Sequence, residues 1–189
     1  MNINKYIKYI KNIIKWNLGF IIILSTMLTI TNSMYFVSWN SMYPTYKDKT
    51  IFKDIVLTDK LIKIWWDINR WDIVVFIPPN RENISYIKRV IWLPWETIKI
   101  KNWYVYICKD KNNVCDKLYE PYLASGTKTL AKCWISEFRL WTWEYFVLWD
   151  NREHSTDSRC CFYYWCASDN KYYITKKDIT WKVIFSLKY

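Results

Sequence analysis

Residues 86–96 read Tyr-Ile-Lys-Arg-Val-Ile-Trp-Leu-Pro-Trp-Glu, and their first half is rich in β-branched and aromatic residues. Such a run predicts a β-strand, whose side chains point alternately to opposite faces. The alternation puts Lys88 on the same face as Tyr86 and Val90, and Arg89 on the other face. A lysine among apolar neighbours loses hydration, which disfavours its charged form and lowers its pKa. The alternative is a surface lysine whose apolar stem lies along the sheet.

Short strand-like runs continue on both sides of this segment, separated by turn residues. Their lengths of about four to eight residues and their content of Ile, Val, Tyr and Phe are typical of an all-β domain. The runs are residues 51–57, 72–77, 84–91, 97–100, 104–108, 144–148, 172–175 and 182–187. Residues 59–64 are compatible with either a helix or a strand. The predicted fold class is mainly β.

The N-terminal region predicts one transmembrane helix before the β domain. No charged residue lies between Trp16 and Tyr46, and residues 18–37 supply the roughly 20 residues that cross a bilayer. Lysines in residues 1–17 keep the N-terminus in the cytoplasm by the positive-inside rule, so residues 38–189 are expected on the outer face. A cleaved signal peptide is the alternative, but the apolar stretch is long and lacks a clear small-x-small cleavage site. We therefore expect an uncleaved, single-pass anchor in the cytoplasmic membrane.

The net charge is strongly positive, because 28 Lys and Arg residues against 17 Asp and Glu residues give a formal charge of +11. This charge is compatible with nucleic acid or with an anionic membrane surface as a partner. The lysines are scattered along the strand-like runs and the tail, and they form no basic helix and no aromatic-basic ladder. The lipid bilayer is therefore the predicted partner, and nucleic acid is not.

Six cysteines in an exported domain permit disulfides. Cys108 and Cys115 flank a predicted hairpin tip, and either Cys160 or Cys161 is spaced to pair with Cys166. Free, partly buried thiols are the alternative. The sequence holds no Cys-x-x-Cys pair and only one histidine, so we predict no metal site.

The chain has 2 glycines and 14 tryptophans, whereas average usage of about 7% would give roughly 13 glycines. Tryptophan also stands where turns favour a residue that tolerates positive φ. Trp103 follows Asn102 between two strand-like runs, and Trp95 ends the Leu-Pro-Trp turn. We hypothesise that the gene comes from a bacterium that reads the codon UGA as glycine, so that most of these tryptophans are glycines in the protein. A genuinely tryptophan-rich protein is the alternative.

Five segments carry a family resemblance once glycine is read at their tryptophans. They are Val37-Ser-Trp-Asn-Ser-Met-Tyr-Pro-Thr45, Arg70-Trp-Asp72, Lys88-Arg-Val-Ile-Trp-Leu-Pro-Trp-Glu96, Asn102-Trp103 and Leu148-Trp-Asp-Asn-Arg-Glu-His-Ser-Thr-Asp-Ser-Arg159. In order, they resemble the motifs of type I signal peptidases, the membrane-bound serine-lysine proteases that remove signal peptides from exported proteins. The resemblance is strong over residues 35–160 and weak over residues 160–187.

The resemblance implies a role for each matched residue. Ser41 is the nucleophile, and Lys88 is the general base that takes its proton. Ser155 matches the serine that hydrogen-bonds the base, while Met42 and Pro44 match substrate-binding positions. The supporting polar residues are Arg89, Asp150, Asn151, Asp157, Ser158 and Arg159. Of these, Asp157 and Arg159 are expected to form an ion pair.

The oxyanion hole is expected to consist of backbone donors. The N–H of Ser41 is a natural donor to the tetrahedral intermediate. Some family members add a serine hydroxyl two residues before the nucleophile. That position here is Trp39, which the recoding hypothesis turns into glycine.

Two further patterns suggest catalysis but are interpreted otherwise. Ser125 and Lys128 fit a Ser-x-x-Lys motif, yet that arrangement works on a helix, which Gly126 and Thr127 disfavour. His154 lies near carboxylates and a serine in the sequence, but residues so close together in one loop rarely form a triad. We interpret the first pattern as chance and His154 as an exposed residue.

The predicted function is the removal of N-terminal signal peptides from preproteins by a membrane-bound serine endopeptidase. The resemblance implies that Ser41 attacks the carbonyl after a small residue, at Ala-x-Ala-like sites, without a cofactor. A related serine-lysine protease that matures one secretion or conjugation component is one alternative. The other is a membrane-tethered β domain that binds partners, or a degenerate peptidase, which literal tryptophans at Trp39 and Trp149 would favour.

Overall fold

The structure is a computed structural model, and it describes residues 3–38, 40–47, 53–61, 67–79, 84–108, 114–153, 156–162 and 171–188. Four residues named above lie outside the described residues: Trp39, His154, Ser155 and Cys166. The chain forms two compact units, Met1–Ser33 and Met34–Tyr189.

A single helix, α1 (Ile3–Thr31), makes up nearly all of the first unit. Within it, Lys11–Thr29 is long and apolar enough to cross a membrane, by length and composition. The predicted apolar helix is therefore present, although it begins earlier and ends earlier than residues 18–37. It ends earlier because Asn32–Phe36 forms a strand.

The second unit is built from strands, which confirms the prediction of a mainly β fold. The strands are β1 (Asn32–Phe36), β2 (Ile55–Asp59), β3 (Ile73–Phe76), β4 (Tyr86–Trp92), β5 (Thr97–Lys101), β6 (Tyr104–Cys108), β7 (Cys115–Lys117), β8 (Glu137–Arg139), β9 (Glu144–Leu148), β10 (Ile174–Thr175) and β11 (Ile179–Leu187). Seven form a sheet in the order β1-β2-β11-β3-β4-β9-β10, and four form a smaller sheet in the order β7-β6-β5-β8. The pairs β2–β11, β11–β3, β3–β4, β4–β9, β9–β10, β5–β6, β5–β8 and β6–β7 are antiparallel.

Strand β4 lies between β3 and β9 and is buried on both faces from Lys88 onward. On one face, Val90 packs in a cluster with Phe76 from β3. On the other face, Ile91 packs in a cluster that includes Ile98 and Phe138 of the smaller sheet. This second cluster joins the two sheets. The predicted alternation along β4 is thus present, and it puts Lys88 and Arg89 on opposite sides of the larger sheet.

Besides β1, the largest differences from the sequence prediction are at β2, β7 and β8. β7 and β8 were not predicted, because each has three residues and a polar or charged pattern too short to show a period of two. β2 begins at Ile55, four residues later than the predicted run, and its first two predicted residues lie outside the described part of the chain. The ambiguous segment 59–64 starts at the last residue of β2 and then also leaves the described residues.

The cysteine pairing is partly as predicted. Cys108 pairs with Cys115 across the β6–β7 hairpin, in the register that sets these residues opposite one another. Cys160 forms a disulfide with Cys133, so Cys161 is the one of the two predicted partners that is left for Cys166, and that pairing stays a prediction because Cys166 lies outside the described residues. The 27-residue separation of the observed pair leaves no spacing signal, because only the fold brings the two residues together. The described cysteines include no free thiol.

Candidate active site

Ser41 lies in a short 3-10 helix, Asn40–Met42, that opens a turn we call the Ser41 turn (residues 40–46). Its anchor is Met42, which is fully buried in a cluster with Val37, Tyr46 and Val56. The carbonyl of Met42 also accepts a hydrogen bond from the N–H of Tyr46 at 2.9 Å. These contacts fix the backbone that carries the serine.

The loop after β9, residues 149–153, is bound directly to the Ser41 turn; we call it the β9 loop. The N–H of Asn151 donates to the carbonyl oxygen of Ser41 at 3.0 Å. Its side-chain amide Nδ2 donates to the carbonyl oxygen of Asn40 at 2.9 Å. The predicted supporting residue Asn151 therefore holds the backbone of the Ser41 turn through two hydrogen bonds.

Lys88 is almost fully buried, with 1% of its surface exposed. Its Nζ donates to the carbonyl oxygen of Ile87 at 3.0 Å and lies 4.4 Å from the ring centre of Tyr86 and 3.8 Å from that of Trp149. Burial holds the pKa of Lys88 well below its ordinary value, and the negative charge of Asp157 offsets only part of this effect. The apolar environment predicted for this lysine is present.

The β9 loop connects the two predicted catalytic residues. Trp149 at its start contacts the amine of Lys88, and Asn151 binds the backbone of Ser41. Among the described residues, no hydrogen bond joins Ser41 to Lys88. Ser155, the predicted partner of the base, lies outside the described residues, so its role stays a prediction.

A bidentate ion pair supports this loop from the other face of β4. Arg89 donates through Nε and Nη2 to the two carboxylate oxygens of Asp150, at 2.9 and 2.7 Å. Thr45 of the Ser41 turn accepts from Arg89 at 3.1 Å and donates to the same carboxylate. Asp150 and Arg89 are both buried. The pair thus ties β4, the β9 loop and the Ser41 turn together.

The predicted ion pair between Asp157 and Arg159 is present and fully buried, at 2.8 Å. Asp157 also caps a 3-10 helix, Ser158–Cys160, by accepting from the backbone N–H of Arg159. Burial alone would raise the pKa of Asp157, but the charge and hydrogen bonds of Arg159 hold this pKa below its ordinary value. Ser158 accepts from the N–H of Val147 on β9 at 3.0 Å. This segment is therefore fixed to the sheet rather than solvated.

Sequence reasoning missed a buried cation of the β9 loop, Arg152, and its partners. Arg152 has no exposed side-chain surface and pairs with Glu120 at 2.5 Å. It also donates to the hydroxyls of Tyr122 and Thr129, both at 2.9 Å. Arg152 belongs to the segment Leu148–Arg159 that carries the family resemblance. Its partners were missed because they lie about 30 residues away, in a stretch whose sequence shows no strand or helix pattern.

A cavity of about 250 Å³, lined by both polar and apolar atoms, lies beside the site. Its walls include Val37, just before the Ser41 turn, and Tyr86 and Ile87, just before Lys88. Val56 and Val75 add further apolar surface. The small volume of this cavity and its apolar wall residues fit small apolar side chains.

No group of three or more His, Cys, Asp or Glu residues in the described part of the chain is arranged to hold a metal ion. The Ser-x-x-Lys pattern lies in a loop, where Ser125 is exposed and the amine of Lys128 lies 4.1 Å from the ring centre of Trp103. Neither residue is on a helix, which agrees with the interpretation of this pattern as chance.

Comparison with known proteins identifies the family to which this chain belongs. A family model described as "Signal peptidase, peptidase S26" matches residues 10–186. Signal peptidase I S of Bacillus subtilis is 31% identical over 159 residues, which are 79% of this chain and 79% of that protein. Signal peptidase I U of the same organism is 34% identical over 150 residues, which are 75% of this chain and 74% of that protein.

A crystal structure of a signal peptidase I from Enterococcus faecalis aligns with a TM-score of 0.44 and 22% identity. The alignment covers 64% of this chain and 98% of that chain. By the family model and the sequence relatives, the chain belongs to the signal peptidase family, peptidase S26. It is thus a hydrolase of the peptidase class.

Proposed function

We propose that this chain is a membrane-bound serine endopeptidase that removes N-terminal signal peptides from exported preproteins. The observation that carries the proposal is the full burial of Lys88 against the loop that binds the backbone of Ser41. Burial favours the neutral amine, which is the form that accepts a proton. The relatives named above are signal peptidases I, which supports signal peptides as the substrate class.

In the proposed mechanism, the hydroxyl oxygen of Ser41 attacks the scissile carbonyl carbon while neutral Lys88 takes the hydroxyl proton. The N–H of Ser41 stabilises the oxyanion of the tetrahedral intermediate. Lys88 then gives its proton to the leaving amine, and an acyl-enzyme forms. Water attacks this ester with Lys88 again acting as base, which releases the signal peptide and restores Ser41. Ser155 is proposed to orient the amine of Lys88.

The cavity beside the site supports cleavage after small residues. Its walls of Val37, Val56 and Ile87 suit a small apolar side chain of an extended substrate, as an Ala-x-Ala site presents. Met42 and Pro44 are proposed to shape the neighbouring substrate position. The apolar helix α1 and the lysines at its start support a single-pass anchor in the cytoplasmic membrane, with the β domain on the outer face.

We also propose that most tryptophans of this chain are glycines in the native protein. Nine described non-glycine residues have positive φ, and five of them are Trp71, Trp95, Trp103, Trp134 and Trp143. Bulky residues rarely adopt this conformation, whereas glycine adopts it without strain. The concentration of tryptophan at such positions supports glycine there.

Two tryptophans with buried indole N–H groups support the same proposal. The indole N–H groups of Trp92 and Trp149 are buried without an acceptor among the described residues. A buried donor without a partner costs about 1–3 kcal/mol. The ring of Trp149 also lies against the amine of Lys88, where glycine would leave space for a serine hydroxyl.

The test of both proposals is cleavage of a model preprotein with an Ala-x-Ala site, in detergent. The enzyme is the full chain with glycine at Trp39, Trp71, Trp92, Trp95, Trp103 and Trp149, which we call the glycine-restored chain. It is expected to cut after a small residue, while its Ser41→Ala and Lys88→Ala variants do not. A folded glycine-restored chain that does not cut would contradict the proposed function and favour a binding domain.

Mass spectrometry of the protein from its native host tests the recoding separately. Peptides that span residues 71, 92 and 149 are expected to carry glycine at these positions. Peptides with tryptophan there would end the recoding proposal, whatever the cleavage assay shows.

A further inference from the structure

The loop between β7 and β8 contacts the β9 loop and also the segment that follows it, residues 159–160. We call residues 119–133 of this loop the brace. Within the brace, Glu120, Tyr122 and Thr129 bind Arg152. Further along, the carbonyl oxygen of Leu130 accepts from Arg159 at 3.0 Å, and Cys133 forms the disulfide to Cys160. None of these brace residues belongs to the motifs that define the site.

We propose that Glu120 and Tyr122 are positioning residues for the peptidase reaction, acting through Arg152 and the β9 loop on the backbone of Ser41. This inference rests on the proposed function. Neither residue is expected to touch substrate. Their effect is to hold the nucleophile at the distance and angle that the reaction needs.

The charge of Arg152 requires a partner inside the protein. Its guanidinium is fully buried, and a buried cation needs an anionic partner. The carboxylate at 2.5 Å belongs to Glu120, whose side chain is 9% exposed. The brace therefore supplies the countercharge that lets Arg152 stay buried.

Arg152 also fixes the conformation of the β9 loop. Its Nε donates to the carbonyl oxygen of Trp149 at 2.8 Å, which closes the β9 loop on itself. Asn151, between these two residues, makes both hydrogen bonds to the Ser41 turn. A shift of Arg152 is therefore expected to move Asn151 and, through it, the carbonyl of Ser41.

Tyr122 lies between two cations, Arg152 and Arg89. Its hydroxyl donates to Glu120 at 2.6 Å and accepts from Arg152 at 2.9 Å. The face of its ring lies 4.1 Å from the guanidinium carbon of Arg89, which holds Asp150. Tyr122 thus contacts the arginines on both sides of the loop segment that binds Ser41.

The test compares matched variants of the glycine-restored chain. Glu120→Gln keeps the shape of the side chain and removes the charge, and Tyr122→Phe keeps the ring over Arg89 and removes the hydroxyl. The controls are Glu137→Gln, which loses an exposed ion pair with Lys99, and Tyr119→Phe, an exposed neighbour in the brace. Near-ultraviolet circular dichroism first establishes that each variant is folded.

Cleavage of the model preprotein gives the first readout. Glu120→Gln is expected to lower kcat about 10- to 100-fold with KM within about twofold, since misplacement of a reacting group by about 1 Å costs up to about 100-fold. Tyr122→Phe is expected to lower kcat less, and the two controls to leave it unchanged. A folded Glu120→Gln variant with unchanged kcat, or with a change in KM alone, would overturn the inference.

Hydrogen exchange of the Asn151 amide gives a readout that does not depend on activity. In Glu120→Gln this amide is expected to exchange at least about tenfold faster, while amides of β5 keep their rates, because only the β9 loop is released. Unchanged exchange at Asn151 would overturn the inference even if activity fell. If the unsubstituted glycine-restored chain does not cut, the proposed function fails, and the exchange result still decides whether the brace controls the Ser41 turn.

Discussion

The amine of Lys88 lies 3.8 Å from the ring centre of Trp149, so an indole faces the proposed general base. The same indole has a buried N–H without an acceptor among the described residues. Lys88 is on a strand and Trp149 on the loop that binds Ser41, so this contact joins the proposed base to the loop that holds the proposed nucleophile. The identity of residue 149 therefore bears directly on whether the amine can reach the serine.

The first prediction concerns residue 149. Changing glycine back to tryptophan at this position alone in the glycine-restored chain is expected to lower kcat at least about 100-fold, the scale for losing general base catalysis. The reason is that the ring fills the space beside the Lys88 amine. The measurement is kcat for the model preprotein, and equal activity with Trp149 would contradict the steric argument.

The second prediction concerns pH. Burial lowers the pKa of Lys88 in the folded protein, so the amine is neutral above this lowered pKa and protonated below it. The rate kcat is expected to fall about tenfold per pH unit once the pH drops below the pKa of the enzyme-substrate complex, and to level off above it. A pH profile of kcat measures this directly. Lys88→Arg, which stays charged, is expected to be inactive throughout, and activity in that variant would rule out Lys88 as base.

The third prediction concerns the β5–β6 hairpin, where Asn102 and Trp103 have φ of 50° and 69°. Two positive φ values in a two-residue loop define the turn that favours Asn-Gly. The free energy of unfolding of the Trp103→Gly variant is expected to be about 1 kcal/mol higher than that of the Trp103→Ala variant. The reason is that alanine keeps the Cβ that strains this conformation. Both variants lose the ring, so the comparison isolates the backbone. Equal stability in urea unfolding would contradict the prediction.

The sequence predicted the parts of the fold in which local pattern and tertiary burial agree. β4 is an example, because seven residues rich in β-branched and aromatic side chains form a strand buried on both faces. β7 and β8 were missed because three residues cannot display a period of two, and their pairing with β6 and β5 is a tertiary effect. The end of α1 was misjudged because no charged residue marks it: Thr31, Asn32 and Ser33 are uncharged, and apolar residues follow in β1.

The same distinction holds for the site. Asp157 and Arg159 are two residues apart in a recognisable motif, and their ion pair was predictable. Glu120 and Arg152 are 32 residues apart, and no local pattern links them. Their contact exists because the loop after β7 folds back on the β9 loop.

The fourth prediction concerns the buried ion pairs. Asp157→Asn is expected to lower the free energy of unfolding by about 3–5 kcal/mol, because it leaves the buried Arg159 without its countercharge. Glu137→Gln, which removes the exposed pair with Lys99, is expected to cost at most about 1 kcal/mol. Because Arg159 lowers the pKa of Asp157, the contribution of this pair is complete above the ordinary carboxyl pKa and is lost as the pH falls through the lowered value. Urea unfolding at neutral pH measures the difference, and similar losses for the two variants would contradict it.

The fifth prediction compares the two disulfides. Cross-links restrict the unfolded chain more when they close longer loops, so the bond between Cys133 and Cys160, with a separation of 27, should stabilise more than the bond between Cys108 and Cys115, with a separation of 7. The loop-closure estimates are about 3.5 and about 2.4 kcal/mol. Double serine variants of each pair, unfolded in urea without reductant, measure the two losses.

The two disulfides should also differ in their effect on catalysis. The bond between Cys133 and Cys160 joins the brace to the residue that follows Arg159, whereas the bond between Cys108 and Cys115 closes a hairpin of the smaller sheet. The Cys133→Ser/Cys160→Ser variant is therefore expected to lose part of its kcat while still folded, because the brace is less firmly held against the segment that continues the β9 loop. The Cys108→Ser/Cys115→Ser variant is expected to keep its kcat at temperatures where it is folded. Equal kcat in the two folded variants would mean that the disulfide stabilises the domain without contributing to the position of Ser41.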